Sequence, residues 1–519
     1  MATLNKYAGP WSRYLAAHLL RRTTYGVNYD TLVKFGNYTL DQCLDHLLQP
    51  LGDPPPPINY TSTEDPNTPI GDTWVDKGTT SGTIDAYRIP SIRSWTFDLM
   101  LKGDANIREK MTMFWHNHFV TADINDPRYN YIYISLLRKN ALGNFKQLTK
   151  DITIDPAMLN YLNGRDNTGQ APNENYAREL MELFTLGKGP LAGPGDYTTY
   201  TEDDIKEMAR VLTGWIDVRN TLPIRAEYRA GRHDIRSKTL SHRFGNVTIN
   251  NAGAKEYKNL IDIIFQKDEV ATFIATKLYR WFVHSNIDET IHNDVIIPMG
   301  KIIRDNNYEI LPGLRALLAS EHFYDECIIG TMVKNPIDFI LNPINQFSAS
   351  LPTDNVQRVN FNSRQIYPKT VEMQMAIFMA PSVAGWQPYY QEPSYYRLWL
   401  NATSLPYRKG FTDLLASNTY KFGDFRVLLN PINTVDKFVK PDDVDFVLTE
   451  IALILFSKPL AENQKTILIP ILNLGNTGTW QTAYTLYKNN PSEANKAVVV
   501  NRLRNLLVYM MRMPEYHLS

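Results

Sequence analysis

The sequence predicts a mainly α-helical protein: one large helical unit over 1–519, with long irregular loops and at most minor β hairpins. Three observations carry that prediction. Apolar residues recur at the helical period in nearly every ordered-looking segment. Alternating, β-branched runs bounded by turns are sparse. No short-period repeat and no clean linker divides the chain.

Taken in order, "SRYLAAHLLRR" reads as a helix that runs into a turn at Tyr25-Gly26, and "YTLDQCLDHLL" as another. Residues 51–83, with four prolines from Pro54 to Pro57, form a long Pro-rich excursion. Loops of this length are uncommon and tend to be functional or disordered. Too few apolar residues lie there to build a core, and consecutive prolines favour extended polyproline geometry. It is therefore expected to be a surface lid or contact loop whose deletion leaves the melting temperature nearly unchanged. Helical patterning resumes in "SIRSWTFDLMLKG" and "NIREKMTMFWHNHFV". "NENYARELMELFTLG" reads as a helix from Asn173 closed by Gly187 as C-cap. "YTEDDIKEMARVLTGW" starts at Thr201, with Asp204 three residues on as a capping-box variant. Residues 225–250 lack a helical period and suit a short hairpin. "DEVATFIATKLYRWFVHS" is strongly helical, with Phe273, Ile274, Lys277, Leu278 and Trp281 near one face. "VKNPIDFILNPINQF" and "DDVDFVLTEIALILFS" continue the pattern to the end.

Composition narrows the function. The 519 residues are 43% hydrophobic and 21% charged, enough for a large core. Lys+Arg and Asp+Glu both number 54, which gives no nucleic-acid or membrane-surface footprint. Two cysteines, Cys43 and Cys327, allow neither a disulfide framework nor a Cys-based zinc site. No apolar stretch approaches the ~18 residues of a membrane span. No leader is visible, so a cytoplasmic location, or export after loss of a leader, is expected. The 30 tyrosines suit a sugar-binding cleft and a thick helical core equally.

Four polar clusters stand out. His116 and His118 flank Asn117, and in an ideal helix the two imidazoles point about 200° apart. They share a metal only if the helix bends or ends near Asn117; otherwise one is a buried, hydrogen-bonded core histidine and the other sits at a helix end. Glu174, Arg178 and Glu182 share one helix face, with Glu179 beside it. That face is either solvated and salt-bridged or turned into a polar pocket. His233, Asp234, Lys238 and His242 crowd an irregular segment, which is a surface basic loop or a functional one. His18 and Arg22 lie one helical turn apart in an apolar helix, where partial burial is expected. No H-E-x-x-H, G-x-S-x-G, P-loop or post-strand G-x-G-x-x-G occurs.

Together these segments resemble the bacterial domain-of-unknown-function 1800 family. The resemblance rests on "AAHLLRRTTYG", "REKMTMFWHNHFVT", "NENYARELMELFTLG", "YTEDDIKEMARVLTGW", "HDIRSKTL", "FIATKLYRWFV", "VKNPIDFI", "APSVAGW" and "MPEYH", in that order along nearly the whole chain. The chain departs at "KTLSHRFGN", where family members tend to carry a Leu-Gly. The resemblance implies that His18, Arg22, His116, Asn117, His118, Asn173, Glu174, Arg178, Glu179, Glu182, His233, Asp234 and Lys238 occupy signature positions. It also implies frequent export and a sulfatase-like protein encoded nearby as a partner.

So many polar signature positions suggest convergence on one pocket, because each costs desolvation unless paired. The reading is an enzyme, hydrolase-type, with an interhelical site acting on an envelope-derived or anionic carbohydrate. His116, His118, Glu179, Glu182, His233 and Asp234 are its catalytic candidates. His116, His118, Glu179 and Glu182 are also candidate ligands to a divalent metal. Arg22, Asn117, Asn173, Arg178 and Lys238 are candidates to hold the substrate, Arg178 and Lys238 on a sulfate or carboxylate. The expected geometry puts a histidine of the pair within reach of Glu179 or Glu182, with His233 or Asp234 opposite. The alternative is a non-catalytic binding or assembly protein that partners the sulfatase-like neighbour, its polar groups saturating one another.

Overall fold

A computed structural model describes residues 2–63, 65–78, 82–423, 425–473 and 478–519. Helix α1 (Arg13–Thr23) begins where the Ser12 side chain accepts the Leu15 N–H, and Leu15 through Thr23 are all buried. His18 and Arg22 go inside with that helix, completely rather than partly.

The 51–83 excursion is tied to the core, which corrects the expectation of a detachable lid. The Trp95 indole donates to the Pro55 carbonyl at 2.7 Å, and the Arg108 guanidinium holds the Leu51 and Gly52 carbonyls. Trp74 is fully buried and donates to Ser91 Oγ at 3.0 Å. Asp65 forms a buried ion pair with Arg88 at 2.6 Å. One indole and one buried carboxylate anchor a segment too polar to make a core of its own; residues 64 and 79–81 of it lie outside the described residues.

Helix α2 (Gly82–Leu101) carries Pro90 in its interior. Helix α3 (Arg108–His118) is buried nearly all round, including Lys110, Thr112, His116 and His118. Such a helix is a core element, and its polar groups need partners inside. It ends at His118, and Phe119 leaves the helix with ψ 61°. Asp126 caps α4 (Pro127–Lys139) and Asp155 caps α5 (Pro156–Tyr161), each with proline opening the first turn.

The helix expected from Asn173 begins later, as α6 (Asn175–Glu179), and then widens into a π turn over Leu180–Thr185. Thr185 Oγ1 donates to the Leu180 carbonyl, and the N–H groups of Leu186 and Gly187 both reach the Met181 carbonyl. Gly187, at φ 76°, closes the element as its C-cap pattern predicts. The Thr201–Asp204 capping box opens α7 (Glu202–Val211) with both reciprocal bonds present. Helices α8 (Glu256–Ile264), α9 (Asp268–Phe282), α10 (Pro336–Gln346) and α11 (Ser404–Ala416) complete the elements used below.

Strand is minor among the described residues: four two-stranded antiparallel pairs. They are β1 (Leu191–Gly193) with β2 (Asp196–Tyr197), β3 (Trp215–Val218) with β4 (Arg225–Tyr228), β5 (Lys238–Thr239) with β6 (Thr248–Ile249), and β7 (Lys421–Phe422) with β8 (Phe425–Arg426). The protein is mainly α. One contiguous cluster of buried apolar side chains runs from Leu15 to Tyr516, and Trp115, Leu180 and Phe184 are all fully buried in it. None of the described helices is long and apolar enough to cross a membrane.

Candidate functional site

The three residues that end α3 do three different things. His116 Nε2 accepts the Phe378 N–H at 3.1 Å, so its proton sits on Nδ1, 3.0 Å from Tyr133 Oη. Tyr133 passes its own proton to the Phe119 carbonyl at 2.6 Å. Both nitrogens are committed, and burial pushes the imidazole down to about 3. Asn117 Oδ1 accepts the Trp386 N–H at 3.0 Å. Gly385 takes φ +97° beside it, and a Cβ there would fall 2.3 Å from Asn117 Oδ1. The "APSVAGW" segment is therefore fitted against the end of α3, which gives its glycine a steric reason.

His118 differs. Nε2 donates to the Phe184 carbonyl at 3.0 Å, at the close of the π turn, and Nδ1 is buried without a hydrogen-bond partner. Burial, helped by the nearby Lys277 ammonium and opposed by the Phe184 carbonyl, pushes the ring down to about 3. His118 lines a narrow crevice with Asn117, Lys277, Arg280, Trp281 and Tyr389. Its free volume is about 20 Å³, room for one water-sized group. Burial and Arg280 lower the Lys277 amine to about 8.

The α6 carboxylates split. Arg178 binds Glu202 at 2.8 Å, Glu174 at 3.2 Å and Glu182 at 3.5 Å, and its pKa is raised, led by the Glu202 hydrogen bond. Glu182 also accepts from Tyr200 Oη at 2.5 Å and meets Lys188 at 3.4 Å. This is the salt-bridged face. Asn173 Oδ1 receives the Asn175 N–H at 2.9 Å and serves the chain turn into α6. Glu179 stands apart: half-buried, with no hydrogen bond or ion pair to any described residue, and with its pKa raised by burial and by Glu182 against Arg178.

The third cluster closes on itself. His233 Nε2 lies 3.0 Å from Glu256 Oε2, and Nδ1 lies 2.9 Å from the Thr213 carbonyl. Lys238 Nζ reaches Glu256 Oε1 and the Asp234 carbonyl. Asp234 is clamped by Arg210 at 2.8 Å and Arg236 at 2.5 Å, and its pKa is lowered, led by the Arg236 hydrogen bond. His233, Lys238 and Glu256 have fully buried side chains, so the unit joins α8 to the 233–238 chain as a polar rivet. Arg22 donates to the Val283 and Ile328 carbonyls, and His18 Nε2 to the Phe323 carbonyl at 3.0 Å.

No hydrogen bond or ion pair joins His116 or His118 to Glu179 or Glu182 among the described residues, nor does His233 or Asp234 meet any of them. No three described His, Cys, Asp or Glu side chains converge so as to hold a metal ion.

None of the candidate site residues read from the sequence lines a cavity of about 700 Å³ on the chain that leaves α3. Asp123, Asn125, Asp126, Arg128, Tyr129, Asn160, Arg219 and Asn220 line it. Arg128 binds Asp126 in a two-pronged pair at 2.6 and 3.0 Å, and Tyr129 Oη donates to Asp217. Asp123 is exposed, adopts φ 55°, and has no side-chain partner among the described residues. Aspartate adopts the left-handed region more readily than most residues, so this conformation marks a turn. Asp123 and Glu179 both act on the Tyr161 hydroxyl, whose pKa burial and then these two carboxylates raise. The signal available in sequence was "ADINDP", a polar, turn-forming run placed directly after the H-N-H helix.

A search of curated proteins and a search of solved structures each return no match to the chain. A family model does match, over residues 18–518, nearly the full length. The chain therefore belongs to the family described as "Protein of unknown function (DUF1800)".

Proposed function

We propose that the protein is a hydrolase of an anionic, envelope-derived carbohydrate and that the 700 Å³ cleft is where the chain binds. The observation that carries this is the Glu179–Asp123 contrast. Glu179 is half-buried and unpaired, with its proton held more tightly than in an ordinary glutamate, while Asp123 stands exposed at the cleft. A carboxyl group that holds its proton and a second, exposed carboxyl group, both acting on the Tyr161 hydroxyl, supply the two kinds of group that glycoside hydrolysis uses. Glu179 protonates the departing glycosidic oxygen as the C–O bond breaks. Asp123 takes the proton of the attacking water. Amides, carboxylates, Arg219 and the Tyr129 ring suit a polyhydroxylated, partly anionic ligand.

The test is release of reducing ends from uronate-rich and sulfated polysaccharides, with a neutral glucan as control. Glu179→Gln and Asp123→Asn should each lower kcat by about 10²–10⁴-fold with unchanged circular dichroism. Activity should fall as pH rises through the elevated Glu179 pKa, because the general acid then loses its proton, and that limb should vanish in Glu179→Gln. Full activity in Glu179→Gln would refute the assignment.

A second reading is supported by a different observation. His116, Arg178, Glu182, His233, Asp234 and Lys238 all saturate neighbouring groups, as a rigid scaffold would require. In that reading the protein is a non-catalytic binding or assembly partner of a sulfatase-like protein. Co-elution with the separately purified sulfatase-like neighbour, with no turnover of any polysaccharide in the panel, would favour it.

A further inference from the structure

We propose that the crevice between α3, α9 and the 378–386 loop binds the hydroxy-carboxylate edge of a sugar acid, with Lys277 and Arg280 on the carboxylate and His118 Nδ1 accepting a hydroxyl proton. This deepens the reading above and rests on it for the saccharide character of the rest of the ligand. It uses neither Glu179 nor Asp123.

The chemistry of the crevice is one-sided. Lys277 Nζ has no ion pair or hydrogen bond among the described residues; it stands over the Phe273 ring, 5.2 Å from ammonium to centroid. Arg280 Nε is buried without a partner, and its guanidinium stands 5.0 Å from the Tyr395 ring centroid. The carboxylate that comes near is Glu392, 3.9 Å from Arg280 Nη2, on a side chain 72% exposed and itself holding Tyr395 Oη at 2.6 Å. Lys277 without a counter-charge, and Arg280 with only an exposed one at 3.9 Å, are costly in partly buried surroundings unless an anion completes them. The burial and mutual repulsion that pull Lys277 down to about 8 express the same cost.

A bare anion would not satisfy the third group. His118 spends its Nε2 proton on the Phe184 carbonyl, so Nδ1 offers a lone pair, and the ring is 5% exposed. A lone pair calls for a donor. The ligand therefore needs an oxyanion and an O–H close together, as in a hydroxy acid. The crevice's 20 Å³ holds one water-sized group, so the hydroxyl oxygen enters it beside His118 while the carboxylate stays outside against Lys277 and Arg280, both only partly buried. The remainder extends toward a second cleft of about 450 Å³ that Arg280 also lines; Trp281 and Tyr389, stacked with ring centroids 4.6 Å apart, line the crevice itself. Aromatic side chains lining a cationic notch suit a sugar acid whose hydroxyl enters and whose carboxylate faces the two cations.

Titration calorimetry on the intact protein with D-glucuronate, D-glucose and acetate tests this without any turnover, so it stands or falls separately from the hydrolase reading. Glucuronate should bind saturably, acetate at least tenfold more weakly, and glucose not measurably. Lys277→Met and Arg280→Met should each weaken glucuronate binding at least tenfold with unchanged melting temperature. If either variant is unstable, the wild type suffices: glucuronate, and not glucose, should protect Lys277 from reductive methylation, read by mass spectrometry. Glucose binding as well as glucuronate, or an absence of both binding and protection, would overturn the proposal.

Discussion

Asp155 shows what one buried capping carboxylate does to the pH response. It opens α5 by accepting the N–H groups of Ala157 at 2.9 Å and Met158 at 3.3 Å. Burial nevertheless lifts its pKa from 3.8 to about 7, outweighing those two bonds. The sign follows from proton counting. Below about pH 4 folded and unfolded chains both hold the proton; between there and about 7 only the folded chain does, so stability contributed by this group falls as pH rises, and above 7 the loss is complete. Asparagine caps equally well but does not titrate. Asp155→Asn should therefore gain stability relative to wild type between pH 5 and pH 8, measured by urea midpoints at each pH; a constant difference would show that Asp155 does not titrate in that window. At this scale the sequence was partly legible. The opposed directions of His116 and His118 follow from helical geometry, and they serve different neighbours. The density of charge in "RHDIRSK" was misleading, because Glu256, far along the chain, neutralises it, and no local pattern announces a partner so distant. Lys277 was visible as a lysine on an apolar helix face, but only folding places it beside His118.

Among the elements, helices and caps were readable because their causes are local: the Thr201–Asp204 box and the Gly187 terminus are set by a few adjacent residues. The π turn at Leu180–Thr185 was not, since one extra residue per turn barely alters the apolar spacing. The 51–83 excursion misled for a related reason. Its composition is that of a loose loop, and stability comes from two residues, Trp74 and Asp65, whose partners Ser91 and Arg88 lie on α2. Trp74→Ala should cost about 3–5 kcal/mol, the usual loss for a fully buried large aromatic. Denaturant unfolding monitored by circular dichroism measures it. A loss under ~1 kcal/mol would restore the picture of a detachable loop.

At the scale of the molecule, distant segments meet in a buried group of cations. Lys110 on α3 pairs with Asp338 on α10, and Asn335 Nδ2 also donates to Asp338 at 2.9 Å. Around them Arg21 reaches the Leu453 carbonyl, Arg22 those of Val283 and Ile328, Lys334 that of Tyr516, and Arg408 on α11 that of Lys334. Every one of these five basic side chains is buried. The Asp338 charge favours the protonated form of Lys110, Arg22, Lys334 and Arg408 against the burial that lowers all four. Asp338 thus compensates a group, and the carbonyls that group holds join the start of the chain to its end. Asp338→Asn, nearly isosteric, should destabilise by about 3–5 kcal/mol, the scale for leaving a buried charge unpaired. The double variant Lys110→Met/Asp338→Asn separates two accounts. If Asp338 serves Lys110 alone, removing both charges should return stability to within about 1 kcal/mol of wild type, since an apolar pair often replaces a buried ion pair at little cost. If it serves the group, Arg22, Lys334 and Arg408 remain uncompensated and the double variant should stay at least ~2 kcal/mol below wild type, because one carboxylate then answers several buried cations at once. Urea unfolding of the three proteins decides between them, and we expect the double variant to remain destabilised.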